Sequence, residues 1–512
     1  MSFGHNAMGE GTVASSPPFM TIDSTAATSS KREKALQFVR SMLVAIQRET
    51  DIERAVLISE WLARFLFSNY FGVYRLDQLE EVLVSKVPSQ TIVISAQRKA
   101  ELHIASELYA HGGHTRLLKA LVAQGRNNPE VLLTRVADRK HILDILAIAD
   151  SRLHIVDGSS ARQQVHQIAS IAAGYEMVVL HIHPDDVICA LALHSIKRSG
   201  HKIHIAMVNH SDHTFSVGIG LADVLLEVST FGWALRASRD TEGKSSFIGI
   251  PIQTGPISEG DVRVPALLFS AGSAYKFKPN ARASLPASMR VVLQQVPSTR
   301  LLVVGPRRTD YWWWSLKLRF WNRVDISNRV PHEDHLRHLK NCDVYVDSFP
   351  ITGGTAFTEA LLHGCNVAGL VGPSFGYGAA DSLRSRTAEA LTNHIAGLIG
   401  GVDTIISRQQ EVRAVAAHFH FPAAVRKRLD ETRNSGILHQ PPTEFAINVP
   451  YRSFETTWAQ ASKVMAPGFR TSRQLRVFPT IVVHLSKAFG LHVWLLVPLL
   501  AKAAFAAVMR TK

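Results

Sequence analysis

A glycine-rich turn after an apolar run carries groups that suit a phosphate ligand. In Asp343–Gly372, DVYVDSFPITGGTAFTEALLHGCNVAGLVG, the apolar run leads into Gly353, Gly354 and Thr355, which open a predicted helix. A helix N-terminus presents unpaired N–H groups and a positive dipole end to an anion. Glu359 lies one turn further along, where its carboxylate could accept hydrogen bonds from ribose hydroxyls. A purely structural turn is the alternative interpretation.

Three histidine-rich loops follow predicted strands in the first half of the chain. They contain His114 in HGGHTR, His183 in HIHPDD, and His210 with Asp212 in NHSDH. Histidine can act as a general base near neutral pH, and an adjacent carboxylate can orient it. Such clusters can also bind metals, but these runs lack HExxH and DxD spacing, so we expect no metal. For any single histidine, an ordinary structural role is the alternative.

A basic residue in the second half of the chain has a comparable position. The stretch FSAGSAYKFKP follows a predicted strand, and it places small residues, including Ser273, before Lys276. Loops just after parallel strands face the ligand crevice of such sheets. We therefore expect Lys276 and Ser273 to meet the same ligand as Gly353. A solvated lysine at the start of a helix is the alternative.

Two series of alternating strands and helices position these loops. The strands of the first series are predicted at Thr91–Ser95, Val131–Thr134, His154–Val156, Met177–His181 and Ile203–Val208. Those of the second are predicted at Ala266–Phe269, Thr299–Val304, Val324–Ile326, Asp343–Val346 and Asn366–Leu370. Alternation of this kind predicts parallel sheets. The fold class is therefore α/β, with two Rossmann-like lobes that face each other across a cleft.

The length of 512 residues suits two or three domains. The predicted boundaries are a disordered tail at 1–30, a helical extension at 31–87, a first lobe at 88–250, a second lobe at 265–400, and a helical region with a basic C-terminal helix at 401–512. The stretch from Gly249 to Pro265 is predicted to be a linker.

The formal net charge of +14 favours anionic partners. From Thr456 to Lys512 the chain has no acidic residue, and it contains the apolar run AFGLHVWLLVPLLA, which is shorter than a bilayer span. Residues 470–512 are therefore expected to contact an anionic membrane surface, although a helix docked on the protein's own core is an equal alternative. For Tyr311–Trp314 and its basic neighbours we expect a packing or membrane-facing role and no nucleic acid.

Only three cysteines occur, Cys189, Cys342 and Cys365, and none has CxxC spacing. This sparse set indicates a reducing compartment. The first 30 residues lack the basic and apolar regions of a secretory signal. We therefore expect a cytoplasmic protein that attaches peripherally to the inner face of the membrane.

The stretch Asp343–Gly372 resembles the donor-sugar site of GT-B glycosyltransferases, especially the branch of the O-linked N-acetylglucosamine transferases. There, an Asp-x-Phe-Pro turn precedes Gly-Gly-Thr and a helix that carries an acidic residue. The resemblance implies that Gly353, Gly354, Thr355, Ser273 and Lys276 bind the diphosphate, and that Glu359 binds the ribose. It also implies metal-independent transfer from a nucleotide-diphosphate sugar, with UDP as the expected base and no further cofactor. Ile351 stands where retaining families have a second glutamate.

By the same resemblance, the first lobe binds the acceptor and supplies acid/base groups, because HGGHTR matches the glycine-rich acceptor loop of many such enzymes. HIHPDD is similar to the valine-histidine-x-histidine element of retaining enzymes, and this likeness implies that His183, its later histidine, meets the donor sugar. The expected activity is transfer to an unidentified acceptor, either membrane-linked or a polysaccharide. A sugar-nucleotide 2-epimerase of the same fold and a non-catalytic binding protein are the alternatives.

Overall fold

A computed structural model describes residues 25–87, 97–109, 113–252, 264–280, 283–373, 375–445, 452–460, 464–468 and 472–490. The predicted strand at Thr91–Ser95 lies outside the described residues, as do residues 1–24 and the apolar run from residue 491 onward.

Among residues 25–87, three helices precede the first sheet: α1 (Thr25–Arg48), α2 (Ile52–Ser68) and α3 (Asp77–Lys86). The Asp51 side chain caps α2 by accepting a hydrogen bond from the Glu53 N–H. Phe38 and Phe65 pack at 4.7 Å between ring centroids, inside the same apolar core as one face of the first sheet. The helical extension therefore completes the core of the first lobe. Because α1 begins at Thr25, residues 25–30 are helical, and the predicted disordered tail is wrong there.

The first sheet has seven parallel strands: β1 (Lys99–Ala105), β2 (Glu130–Leu133), β3 (Leu153–Ile155), β4 (Tyr175–His181), β5 (His204–Asn209), β6 (Val224–Glu227) and β7 (Ser245–Phe247). Its order is β3-β2-β1-β4-β5-β6-β7. The helices of this lobe are α4 (Gly113–Ala123), α5 (Arg139–Leu146), α6 (Ala161–Ala172), α7 (Val187–Arg198), α8 (Thr230–Ala234) and α9 (Arg236–Arg239). The sequence did not predict β1, β6 or β7.

The second sheet has five parallel strands: β8 (Ala266–Ala271), β9 (Thr299–Val304), β10 (Val324–Ser327), β11 (Val344–Val346) and β12 (Asn366–Ala368). Its order is β10-β9-β8-β11-β12. Its helices are α10 (Leu285–Gln295), α11 (Trp314–Arg319), α12 (His332–Asn341), α13 (Thr355–Leu362) and α14 (Ala388–Ile399). The strand order reverses between β1 and β4 and between β8 and β11, and ligands bind at such reversals. The predicted α/β fold with two Rossmann-like lobes is confirmed.

Four helices follow the second sheet in the part of the chain that the structure describes: α15 (Asp403–His420), α16 (Pro422–Ser435), α17 (Ser453–Gln460) and α18 (Phe478–Phe489). Helix α16 returns to the first lobe, where both Nη atoms of Arg426 lie 2.7 Å from the Glu101 carboxylate. Helix α18 buries Ile481 and Leu485 in the core that contains α1. For residues 478–489 the structure thus shows a helix docked on the protein's own core. Within the described part of the chain, no helix is both long and apolar enough to cross a bilayer.

Candidate functional site

A pocket of about 280 Å³ lies between the two lobes. Residues that follow β8, β9, β10 and β11 line one side of it, and Gly113 and Arg116 of α4 line the other. Five of the six residues predicted to bind the donor line this pocket: Ser273, Lys276, Gly353, Thr355 and Glu359. The sixth, Gly354, is the N-cap of α13. The structure therefore brings the two halves of the predicted donor site together.

Gly353 is required because a carboxylate lies directly behind the turn. The Gly353 N–H donates to Oδ2 of Asp347 at 2.8 Å, and the buried Arg384 guanidinium donates to the same oxygen at 2.8 Å. A β carbon on residue 353 would lie 2.3 Å from Oδ1 of Asp347. The fully buried Asp347 therefore has a structural role, which is to hold the turn that precedes α13.

Gly354 is required by its backbone conformation, with φ of +55° and ψ of −106°. L-residues avoid this region because the β carbon clashes with the backbone. Among the described side chains, none caps the first turn of α13 at this position, and helix N-termini of this kind favour an anion. Glycine is therefore required at the two positions for different physical reasons, and both residues shape the pocket wall next to Thr355.

Lys276 connects the end of β8 to the turn that precedes α13. Its Nζ donates to the Thr352 carbonyl oxygen at 3.2 Å. Burial lowers the pKa of Lys276, and the nearby Asp347 carboxylate opposes that shift. Arg329, which follows β10, adds a second cation to the lining. The pocket therefore combines two cations with a helix N-terminus, a combination that suits a diphosphate.

Glu359 forms an ion pair across the cleft. Its Oε1 lies 2.6 Å from Nη1 of Arg116, and the Glu359 side chain is 8% exposed whereas that of Arg116 is 44% exposed. The carboxylate predicted to bind ribose is thus already held by a side chain of the first lobe. Sequence reasoning did not identify Arg116, Arg329 or His335 as pocket residues, although Arg116 lies in the HGGHTR loop and Arg329 follows a predicted strand.

His114 and His210 lie side by side at the cleft end of the first sheet, with ring centroids 4.5 Å apart. Nε2 of His114 is 2.8 Å from the His181 carbonyl oxygen. Since a carbonyl only accepts, Nε2 carries the proton and Nδ1 is left as the acceptor nitrogen. Burial lowers the pKa of both His114 and His210. Both rings are therefore neutral near pH 7, and a neutral ring can accept a proton.

His183 and Asp212 do not belong to this pair. Nδ1 of His183 is 2.5 Å from Oδ1 of Asp185. Asp212 is fully buried, and its Oδ1 lies 3.1 Å from Nδ1 of His213 and 3.3 Å from the Tyr377 hydroxyl, which reaches over from the second lobe. Among the four predicted acid/base residues, the rings of His114 and His210 are in contact, and His183 lies near enough to interact electrostatically with both.

A buried chain of hydrogen bonds that sequence reasoning missed lies behind His114. Oε1 of Glu101 is 2.6 Å from Nε2 of His103, and Nδ1 of His103 is 3.0 Å from Nε2 of His181. Burial would raise the pKa of Glu101, but hydrogen bonds from His103 and Arg426 lower it well below its usual range. This chain fixes the end of β4, whose last carbonyl orients His114. Among the described residues, no group of three or more histidine, cysteine, aspartate or glutamate side chains could hold a metal ion.

No family model and no curated protein matches the chain. Solved structures resemble it at the level of overall shape. A Thermobaculum terrenum O-GlcNAc transferase variant is 15% identical, with 85% of this chain and 83% of that chain covered at a TM-score of 0.48. Anabaena HepE in complex with UDP is 14% identical, with 66% of this chain and 100% of that chain covered at a TM-score of 0.49. A Listeria monocytogenes protein named as a UDP-N-acetylglucosamine 2-epimerase is 13% identical, with 66% of this chain and 96% of that chain covered at a TM-score of 0.44. These values assign no activity to this chain.

Proposed function

We propose that the protein is a metal-independent glycosyltransferase that uses a nucleotide-diphosphate sugar, with UDP as the base. One observation carries the proposal: Lys276, which follows β8, lines the same pocket between the lobes as Gly353, Thr355 and Glu359, which follow β11. Lys276 and the helix start suit the diphosphate and Glu359 suits the ribose, so together they fit a nucleoside diphosphate.

The chemistry follows from the charges of the pocket. When the bond between the anomeric carbon and the diphosphate oxygen breaks, the electron pair and the negative charge leave with the diphosphate. Lys276 and the N–H groups at the start of α13 stabilise that charge, because fixed donors need no reorganisation during the reaction. Glu359 accepts hydrogen bonds from the ribose hydroxyls. To leave its carboxylate oxygens available for them, Arg116 must give up part or all of its contact with Glu359.

The acceptor hydroxyl loses its proton as the new glycosidic bond forms. Nδ1 of His114 is the nitrogen in a state to take that proton, since Nε2 already donates to the His181 carbonyl. Burial keeps the neighbouring His210 ring neutral as well, so no second positive charge stands beside the base. In this proposal, His183 and Asp212 maintain the surrounding structure.

The test uses water as a surrogate acceptor, so the true acceptor need not be known. The purified protein is incubated with a panel of sugar nucleotides, and the products are followed by NMR. We expect wild type to release UDP and free sugar, and we expect His114→Gln to release neither. Glutamine retains a donor near the position of Nε2 but cannot act as a base, which makes it the matched variant. Interconversion of one UDP-sugar into another would contradict transfer and indicate an epimerase.

A further inference from the structure

The segment between β9 and β10 carries an exposed stripe of large apolar side chains. Tyr311, Trp314, Leu318 and Trp321 are 69, 55, 71 and 66% exposed, respectively. Trp314 and Leu318 lie one turn apart on α11, Tyr311 lies on the 3-10 turn before it, and Trp321 follows the end of the helix. Trp313, in contrast, is 1% exposed and packs on Phe277 at 5.6 Å between ring centroids. The segment is therefore anchored on its inner side and presents apolar surface on its outer side.

Positive charge flanks this stripe. From Gly305 to Arg323, with Arg323 included, the sequence has five arginine or lysine residues and one acidic residue, Asp310. Arg307, Arg308 and Arg319 are exposed. The Asp310 carboxylate accepts from the backbone N–H of Arg307 at 2.7 Å, and Lys317 lies 3.2 Å from Asp325. The outer charge around the stripe is therefore positive.

We propose that the Arg307–Trp321 stripe docks on the surface of an anionic lipid membrane. Tryptophan and tyrosine are favoured at the level of the lipid headgroups, because the apolar ring can enter the membrane while its N–H or O–H remains hydrated. Exposed leucine gains by entering the acyl boundary, and each nearby arginine is attracted to anionic lipid. This surface belongs to the second lobe, whereas the described helix α18 packs in the core of the first lobe.

The side chains favour a membrane over a nucleic acid. Single-stranded nucleic acids bind in positive grooves on aromatic platforms, one ring per base. Here the most exposed member of the stripe is Leu318, which has no ring on which a base could stack. The Trp314 indole N–H donates to the Arg308 carbonyl oxygen at 3.0 Å, which fixes the ring against the loop.

The stripe begins near the candidate site in the chain and leads away from it. Gly305, which follows β9, lines the pocket, whereas Trp321 precedes β10 and therefore lies toward the opposite edge of this parallel sheet. The docking itself does not rest on the proposed function.

Vesicle flotation of the full chain tests the docking. The vesicles are phosphatidylcholine alone or phosphatidylcholine mixed with phosphatidylglycerol. An apolar variant changes Trp314, Leu318 and Trp321 to serine, and a charge variant changes Arg307, Arg308 and Arg319 to glutamine. The controls are Val136→Ser, at a residue that is 85% exposed elsewhere, and Arg408→Gln on α15. Melting temperatures of all variants establish that they are folded.

We expect wild type and both controls to float with the mixed vesicles only, and each stripe variant to bind them at least about tenfold more weakly. The proposal is overturned if wild type does not float, or if folded stripe variants float as well as wild type. It is also overturned if the stripe variants lose binding to a single-stranded oligonucleotide, or lose self-association in light scattering, while flotation is unchanged. Since no nucleotide is present, a failure here leaves the proposed glycosyl transfer untouched.

Discussion

Replacing Gly353 by alanine tests the architecture of the donor pocket at its tightest point. The added β carbon would lie 2.3 Å from Oδ1 of Asp347, and real β carbons do not approach that closely. The carboxylate cannot step aside cheaply, because Gly353 and Arg384 both donate to its Oδ2. We expect Gly353→Ala to displace Asp347, lower the free energy of unfolding by about 3 kcal/mol and weaken UDP binding.

A double-mutant cycle measures whether the carboxylate is the cause. Asp347→Ala alone breaks the same buried contacts and should also lower the free energy of unfolding by about 3 kcal/mol. Because that variant removes the atom with which the new methyl group clashes, adding Gly353→Ala should cost little more, giving a coupling of about 2 kcal/mol. Urea midpoints at a common m-value give the four free energies. Gly243→Ala is the control, since a β carbon added there would meet none of the described atoms within 4 Å. Additive costs would refute the explanation.

Two further results are expected. His114→Gln should slow sugar transfer by about 10²–10⁴-fold with an unchanged Kd for UDP, whereas a weakened Kd would place His114 in donor binding instead of base catalysis. His420 is fully buried, and burial lowers its pKa to about 4, while its Nδ1 donates to the Ile250 carbonyl oxygen at 2.7 Å. The unfolded chain protonates the His420 ring from about pH 6.5 downward, whereas the folded chain does not. Wild type should therefore lose about 2 kcal/mol of stability between pH 7 and 5 relative to His420→Asn. If the urea midpoints of the two proteins shift equally over that range, this explanation is wrong.

The sequence predicted the strands of the second lobe because they are short apolar runs bounded by turns. Strand β1 escaped prediction because Glu101 and His103 interrupt its apolar pattern, and their burial is possible only through Arg426 and His181, which are distant in sequence. Strand β7 is three residues long and begins with two serines. Strand β6 carries the apolar run VLL, so the pattern was present in the sequence.

The donor side of the site could be predicted because its residues follow strand ends, which the topology brings to one edge of the sheet. The contact between Arg116 and Glu359 could not, because it depends on how the two lobes face each other. Likewise, the Tyr377 hydroxyl that reaches Asp212 comes from the second lobe, and no local pattern predicts this contact.

The most direct test of the central claim is calorimetric titration of UDP into wild type, Lys276→Met and Lys278→Met. Methionine retains the approximate length of lysine without the charge, and Lys278 is an exposed lysine of the same segment. A lost charge-assisted contact should weaken UDP binding by roughly tenfold to a hundredfold in Lys276→Met, and the Kd of Lys278→Met should equal that of wild type. If wild type does not bind UDP, or if Lys276→Met binds it as tightly as wild type, the pocket between the lobes is not a diphosphate site.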